Sequence, residues 1–109
     1  MKVDWTPVLL SPDDKPLLNE SGKPMTFGLA CRTALMATQS HDTVDTKHRL
    51  GELWLKIGME PDGDYDHGDI AFIRQRVEET MHQLIILRTK PLFNAIGAPV
   101  AFVSRVASS

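Results

Sequence analysis

The sequence predicts a mainly α fold of the α+β kind: an N-terminal β-hairpin-like arm followed by a small three- to four-helix bundle. Three observations predict it. Ile70, Ile73, Val77, Met81 and Leu84 recur at steps of three and four, the spacing of one helix face. Two further stretches, after Thr26 and after Asp42–Thr43, show the same periodicity behind a residue suited to cap a helix. Four of the seven prolines fall within residues 1–25, where short apolar runs alternate with turn signals. The organisation expected is one domain over residues 1–109, with an arm over 1–26 and a helical part over 27–107.

In the arm, Val3-Asp4-Trp5 and Val8-Leu9-Leu10 are short extended candidates separated by Pro7. Ser11-Pro12-Asp13-Asp14 is a turn signal: proline presets φ, and a short acidic side chain can bond nearby backbone. Asn19-Glu20-Ser21-Gly22 is a second turn. Lys15-Pro16 and Lys23-Pro24 stand eight residues apart, each just after a turn. Proline cannot donate to a ladder, so these strands are expected to be edges or very short.

Thr26 is placed to cap a helix from Phe27 to about Thr38, with Phe27, Ala30, Cys31, Ala34 and Leu35 on one face. The alanines keep that face shallow. Gln39 to Asp42 breaks the pattern, and Asp42 or Thr43 caps a second helix from Val44 to about Ile57, with Gly58 placed to end it. Its apolar stripe is Leu50, Leu53, Trp54 and Ile57. Gly51 lowers helix propensity by about 1 kcal/mol relative to alanine, which marks it for a tight helix crossing. The longest helix is expected from Asp66 to about Arg88, with Asp66 and Asp69 as an aspartate variant of a capping box. It is expected to be the wall against which the other elements pack. Pro91 interrupts it and starts a short helical turn to Ile96. Residues 99–106 suit a helix by the spacing of Val100, Val103 and Val106 and a strand by their β-branching; helix is the reading adopted.

Composition excludes several function classes. With 42% hydrophobic residues a packed core is expected. A net charge of −2 argues against broad attraction to nucleic acid or to an anionic membrane. No apolar run approaches the roughly 20 residues needed to span a bilayer, and the N-terminal residues lack the basic-then-apolar order of a signal peptide. The single cysteine, Cys31, sits among small and apolar residues and reads as a buried, inert thiol. A cytoplasmic setting is expected.

The chemistry-bearing residues point away from catalysis. Asp62, Asp64 and Asp66 alternate as the first ligands of a calcium loop do, but His67 and Ile73 stand where that loop needs its glycine and its bidentate glutamate. Asp62, Asp64, Asp66 and His67 therefore remain weak candidates for a divalent metal, and no cofactor is expected. None of His41, His48, His67 and His82 lies four residues from another histidine. No nucleophile elbow, phosphate-binding glycine loop or dinucleotide fingerprint is present, so the reading is a non-enzyme. Lys47, His48 and Arg49 lie early in the second predicted helix, where a helix-turn-helix presents side chains to bases. Asp42 and Asp45 flank the same end and oppose phosphate, which leaves DNA binding as the alternative. The four-residue run Leu84-Ile85-Ile86-Leu87 covers all sides of a helix, so one side needs cover from the C-terminal residues or from another chain. Ile85, Ile86, Phe93, Phe102 and Val103 are the candidate interaction surface, for another protein or for a homodimer.

Leu9-Leu10, Lys15-Pro16-Leu17, Ser21 to Gly28 and the small-residue helix ending Ala34-Leu35 resemble a group of short, functionally uncharacterised bacteriophage and prophage proteins. Their arm reads acid, Lys-Pro, then Gly-Lys-Pro, apolar, Thr, apolar, Gly. The helix carrying Trp54 and the segment from Asp69 to Arg74 resemble the same group more loosely. The resemblance implies a viral or prophage setting in a bacterial cytoplasm; the function expected for the chain as a whole is protein–protein interaction, as an assembly or host-modulating adaptor. It carries no catalytic residue.

Overall fold

A computed structural model describes residues 1–96. Over these residues the fold is mainly helical, with four helices and little strand. They are α1 (Phe27–Met36), α2 (Val44–Met59), α3 (His67–Thr80) and α4 (Gln83–Ala95). Three begin at the caps expected. Thr26 Oγ1 accepts from the Leu29 N–H at 3.1 Å, Thr43 Oγ1 from Thr46 at 3.1 Å, and Asp66 Oδ1 from Asp69 at 2.7 Å.

The helix expected to run from Asp66 to Arg88 is two helices. Met81 is extended (φ −101°, ψ 160°), and His82 caps α4 by accepting from the Leu84 N–H on Nδ1 at 3.2 Å. An imidazole cap followed by polar Gln83 replaces the glycine or proline that usually announces a break. Pro91, expected to end a helix, lies inside α4 instead. It removes the amide that would bond Leu87, whose side chain is exposed, so water can take that carbonyl. Gly58 lies inside α2 and does not end it. A Cβ there would stand 2.5 Å from Arg32 Nη2. The glycine thus admits the Arg32 guanidinium, which stacks 4.1 Å from the centre of the Trp54 ring.

The wall of the fold is α1, not the segment after Asp66. It touches each of the other three helices and buries Phe27, Gly28, Ala30, Cys31, Ala34 and Leu35. Onto it pack Leu50, Leu53 and Ile57 from α2 and Ile70, Ile73 and Val77 from α3. An aromatic series ties the chain's distant parts together. Tyr65 meets Trp5 edge-on at 5.3 Å, Trp5 meets Phe27 at 5.2 Å, and Phe27 meets Phe93 edge-on at 4.9 Å. Such pairs contribute about 0.5–1.5 kcal/mol each beyond the area they bury. The Gly28 N–H donates to the Trp5 carbonyl at 2.9 Å, and a Cβ on Gly28 would stand 2.9 Å from Trp5 Cβ. Glycine is required there by close approach.

Residues 7–27 form three isolated antiparallel bridges, Val8 to Thr26, Leu10 to Pro16 and Leu18 to Pro24, and no longer ladder. Their hydrogen bonds repeat every eight residues. The Asp14 N–H donates to Ser11 O, and the Gly22 N–H to Asn19 O, both at 3.0 Å. Ser11 N–H donates to Lys15 O, and Asn19 N–H to Lys23 O. Both turns end on a left-handed residue, Asp14 at φ 62° and Gly22 at φ 77°, the geometry of a type I turn closed by a bulge. Leu9, Leu17 and Met25, also eight apart, close a ring. Leu17 N–H donates to Leu9 O (2.8 Å), Met25 N–H to Leu17 O (2.6 Å) and Leu9 N–H to Met25 O (2.8 Å). Leu9, Met25 and Ala30 are the buried centre of a second small core beneath this ring, with Leu17 packed against them.

Candidate interaction surface

The ring dictates which backbone groups are left over. In an extended segment, alternate residues turn their N–H and C=O to opposite edges. Leu9 spends both groups inside the ring, so those of Val8 and Leu10 face away from it. Among the described residues neither has a backbone partner. In the two later segments one of the two outward positions is a proline, Pro16 or Pro24, which has no N–H to offer. The first segment is not blocked in this way.

Side chains extend that free edge into a surface. Val8 and Leu10 are exposed, and α4 runs alongside with Leu87 63% exposed. Pro7, Val8, Leu10, Leu87, Pro91 and Leu92 line an open groove of about 470 Å³. Arg88 fixes its wall: one guanidinium nitrogen donates to Ser11 O at 3.1 Å, tying α4 to the first turn. The groove sets an open edge of extended backbone beside an apolar trough.

The surface expected from the sequence is displaced by about one helix face. Phe93 is core, packed on Phe27, and not an exposed contact. Ile85 and Ile86 are partly buried against the core. Phe102 and Val103, like the helix expected over 99–106, lie outside the described residues. Leu87 carries the exposed apolar character of the run. The sequence signal for Val8 and Leu10 is their position astride Leu9, which takes the buried side.

The acidic loop is tied to lysines. Lys2 Nζ donates to the Asp62 carbonyl at 2.6 Å and lies 3.6 Å from the Asp64 carboxylate, and Lys56 Nζ donates to the Asp64 carbonyl. Asp66 serves as the cap of α3, and His67 is its first residue. Among the described residues no three His, Cys, Asp or Glu side chains converge as a metal site. Of the basic trio on α2, Lys47 and His48 are exposed, while Arg49 stacks 4.4 Å from the Phe72 ring centre and pairs with Asp69 at 3.6 Å. Arg49 thus joins α2 to α3.

The most deeply buried ion pair among the described residues belongs to Arg76, a residue that the sequence alone did not single out. It stands three residues after Ile73 and one before Val77, on the apolar stripe, and that position is the signal for a buried partner. Its Nη1 and Nη2 donate to the two Asp42 carboxylate oxygens at 2.9 and 3.1 Å, and Nη2 also donates to Ala37 O at 2.5 Å. The side chains are 4% and 2% exposed. Asp42, expected as a possible helix cap, instead accepts from the Gln39 N–H at 2.7 Å and locks the α1–α2 connection onto α3. That amide, then the Arg76 guanidinium, hold its carboxyl below the usual range. Burial pushes the Cys31 thiol well up, away from the reactive thiolate, and also raises Tyr65.

No family model, no curated protein and no solved structure matches the chain. No helix among the described residues is long and apolar enough to cross a membrane.

Proposed function

We propose that the protein is a non-enzymatic adaptor that binds another protein by accepting an extended apolar segment along the Val8–Leu10 edge. The single observation that carries this reading is the coincidence of backbone groups that have no partner among the described residues with the trough lined by Leu87, Pro91 and Leu92. Main-chain bonds to an added strand supply affinity, and pockets for its alternate side chains supply selectivity. A phage or prophage setting in a bacterial cytoplasm rests on the resemblance of the Leu9–Gly28 stretch; in that setting an adaptor of this kind serves assembly or modulates the host.

The test is a titration with a blocked hexapeptide alternating valine and lysine, followed through backbone amide shifts. Saturable shifts are expected at Val8, Leu10, Leu87 and Leu92. A peptide N-methylated at alternate residues binds at least about tenfold more weakly, since it cannot complete the edge. Shifts elsewhere, or equal binding of both peptides, would overturn the reading.

The DNA-binding alternative loses one of its three residues to the α2–α3 contact, because Arg49 is held by Asp69 and Phe72. It predicts binding to duplex DNA that weakens as salt rises.

A further inference from the structure

A second exposed apolar face, unpartnered among the described residues, lies on α2, none of whose residues lines the groove. At about 100° per residue, Val44, His48, Gly51, Leu55 and Met59 fall within one narrow arc. It is opposite the arc of Leu50, Leu53 and Ile57, which pack into the core. Val44, Leu55 and Met59 are 70%, 50% and 78% exposed, among the most exposed large apolar side chains of the described residues. Gly51 sits in the middle. A Cβ there would meet nothing within 4 Å, so the tight crossing that a mid-helix glycine suggests is not made among the described residues. The spacing 44, 48, 51, 55 alternates steps of four and three, the register of a two-helix seam.

The flanks of this stripe identify the occupant. Lys47 lies on one side; Asp45 and Glu52 lie on the other. None of the three has an ion-pair partner among the described residues. When two copies of α2 pack in parallel, each flank meets the opposite flank of its neighbour, so Lys47 faces the second copy's Glu52, five residues on, the usual pairing beside such a seam. An antiparallel pair would set like flank against like flank, acid against acid. We infer that the Val44–Leu55–Met59 face of α2 is a homodimer seam, in which two copies pack α2 in parallel and Gly51 lets the backbones approach. The helix offers only about two heptads, so the association is weak and concentration-dependent. None of the seam's residues lines the groove beside the Val8–Leu10 edge.

Sedimentation equilibrium of the full chain between about 10 µM and about 1 mM spans the range in which so small an interface associates. A reversible dimer is expected. Leu55→Asp, at a half-exposed position, weakens it by at least about tenfold with unchanged helical content. Lys47→Glu and Glu52→Lys each weaken it, and the double charge reversal restores it. Val44→Cys cross-links to itself under mild oxidation, with the native Cys31 buried and silent. Val44→Cys mixed with Met59→Cys forms no mixed disulfide, because a parallel seam holds those positions at opposite ends. A monomer throughout the range, a dimer indifferent to Leu55→Asp and to the charge reversals, or a disulfide between positions 44 and 59 would each overturn the inference. The valine–lysine peptide titration reports on the other surface, so either result stands without the other.

Discussion

Replacing Arg76 by methionine keeps most of the side chain's volume and removes its charge. What remains is the Asp42 carboxylate, 2% exposed, with the Gln39 N–H as its one remaining donor. The Ala37 carbonyl loses its donor as well. Breaking a buried pair from one side costs about 3–5 kcal/mol, because the surviving charge is stranded. That is a large share of the roughly 5–15 kcal/mol by which a domain is stable. At about 4–8 °C per kcal/mol for a domain of this size, the melting temperature should fall by some tens of degrees. Removing both charges, as in Arg76→Met with Asp42→Asn, should recover part of the loss, since no bare charge is left inside. The assay is thermal and urea unfolding followed by circular dichroism at neutral pH. The pH dependence supplies an internal check. Asp42 has a lower pKa folded than unfolded, so its contribution is complete above the ordinary carboxylate range and is lost as pH falls through the depressed folded value. The gap between Arg76→Met and the native protein should therefore narrow in acid, where protonation discharges the stranded carboxylate. A variant that unfolds within about 1 kcal/mol of the native protein, a typical effect of an unremarkable substitution, would refute the claim that this pair locks the α1–α2 connection to α3.

Other expectations follow from single positions. Asp14→Gly should stabilise, because Asp14 holds a left-handed φ that glycine adopts freely; Gly22→Ala, at the equivalent place in the second turn, should destabilise by about 1 kcal/mol. Urea unfolding of the two variants should move in opposite directions. Gly28→Ala should cost about 1–3 kcal/mol, since its Cβ has no room beside Trp5, and tryptophan fluorescence should report the displaced ring. The Cys31 thiol should resist a disulfide reagent in the native protein and react at once in denaturant, as burial holds it protonated and covered.

What the sequence made legible was local chemistry. Thr26, Thr43 and Asp66 announce helix starts because a short side-chain oxygen bonds an amide three residues on, an interaction contained in four residues. The turns at residues 11–14 and 19–22 are legible for the same reason. What escaped depends on partners distant in the chain. Gly58 looks like a stop until Arg32 is seen to occupy the space of its missing Cβ. Pro91 looks like a stop until its lost hydrogen bond proves to fall on an exposed turn. The break at Met81–His82 carries no glycine or proline, and its cap is an imidazole. Phe93 looked like spare surface because nothing in its neighbourhood shows that Phe27 awaits it. The closed ring of Leu9, Leu17 and Met25 was half visible, as an eight-residue spacing of Lys-Pro pairs. Its closure needs the third segment to return to the first, and the free Val8–Leu10 edge follows only from that closure.

Residue-resolved amide hydrogen exchange in the native protein tests that closure and the proposed docking edge together. The amides of Leu9, Leu17 and Met25 should be protected by the bonds that join them, while those of Val8 and Leu10, with no partner among the described residues, should exchange at close to the rate of open chain. Equal protection along residues 8–10, or fast exchange at all three ring positions, would contradict the account.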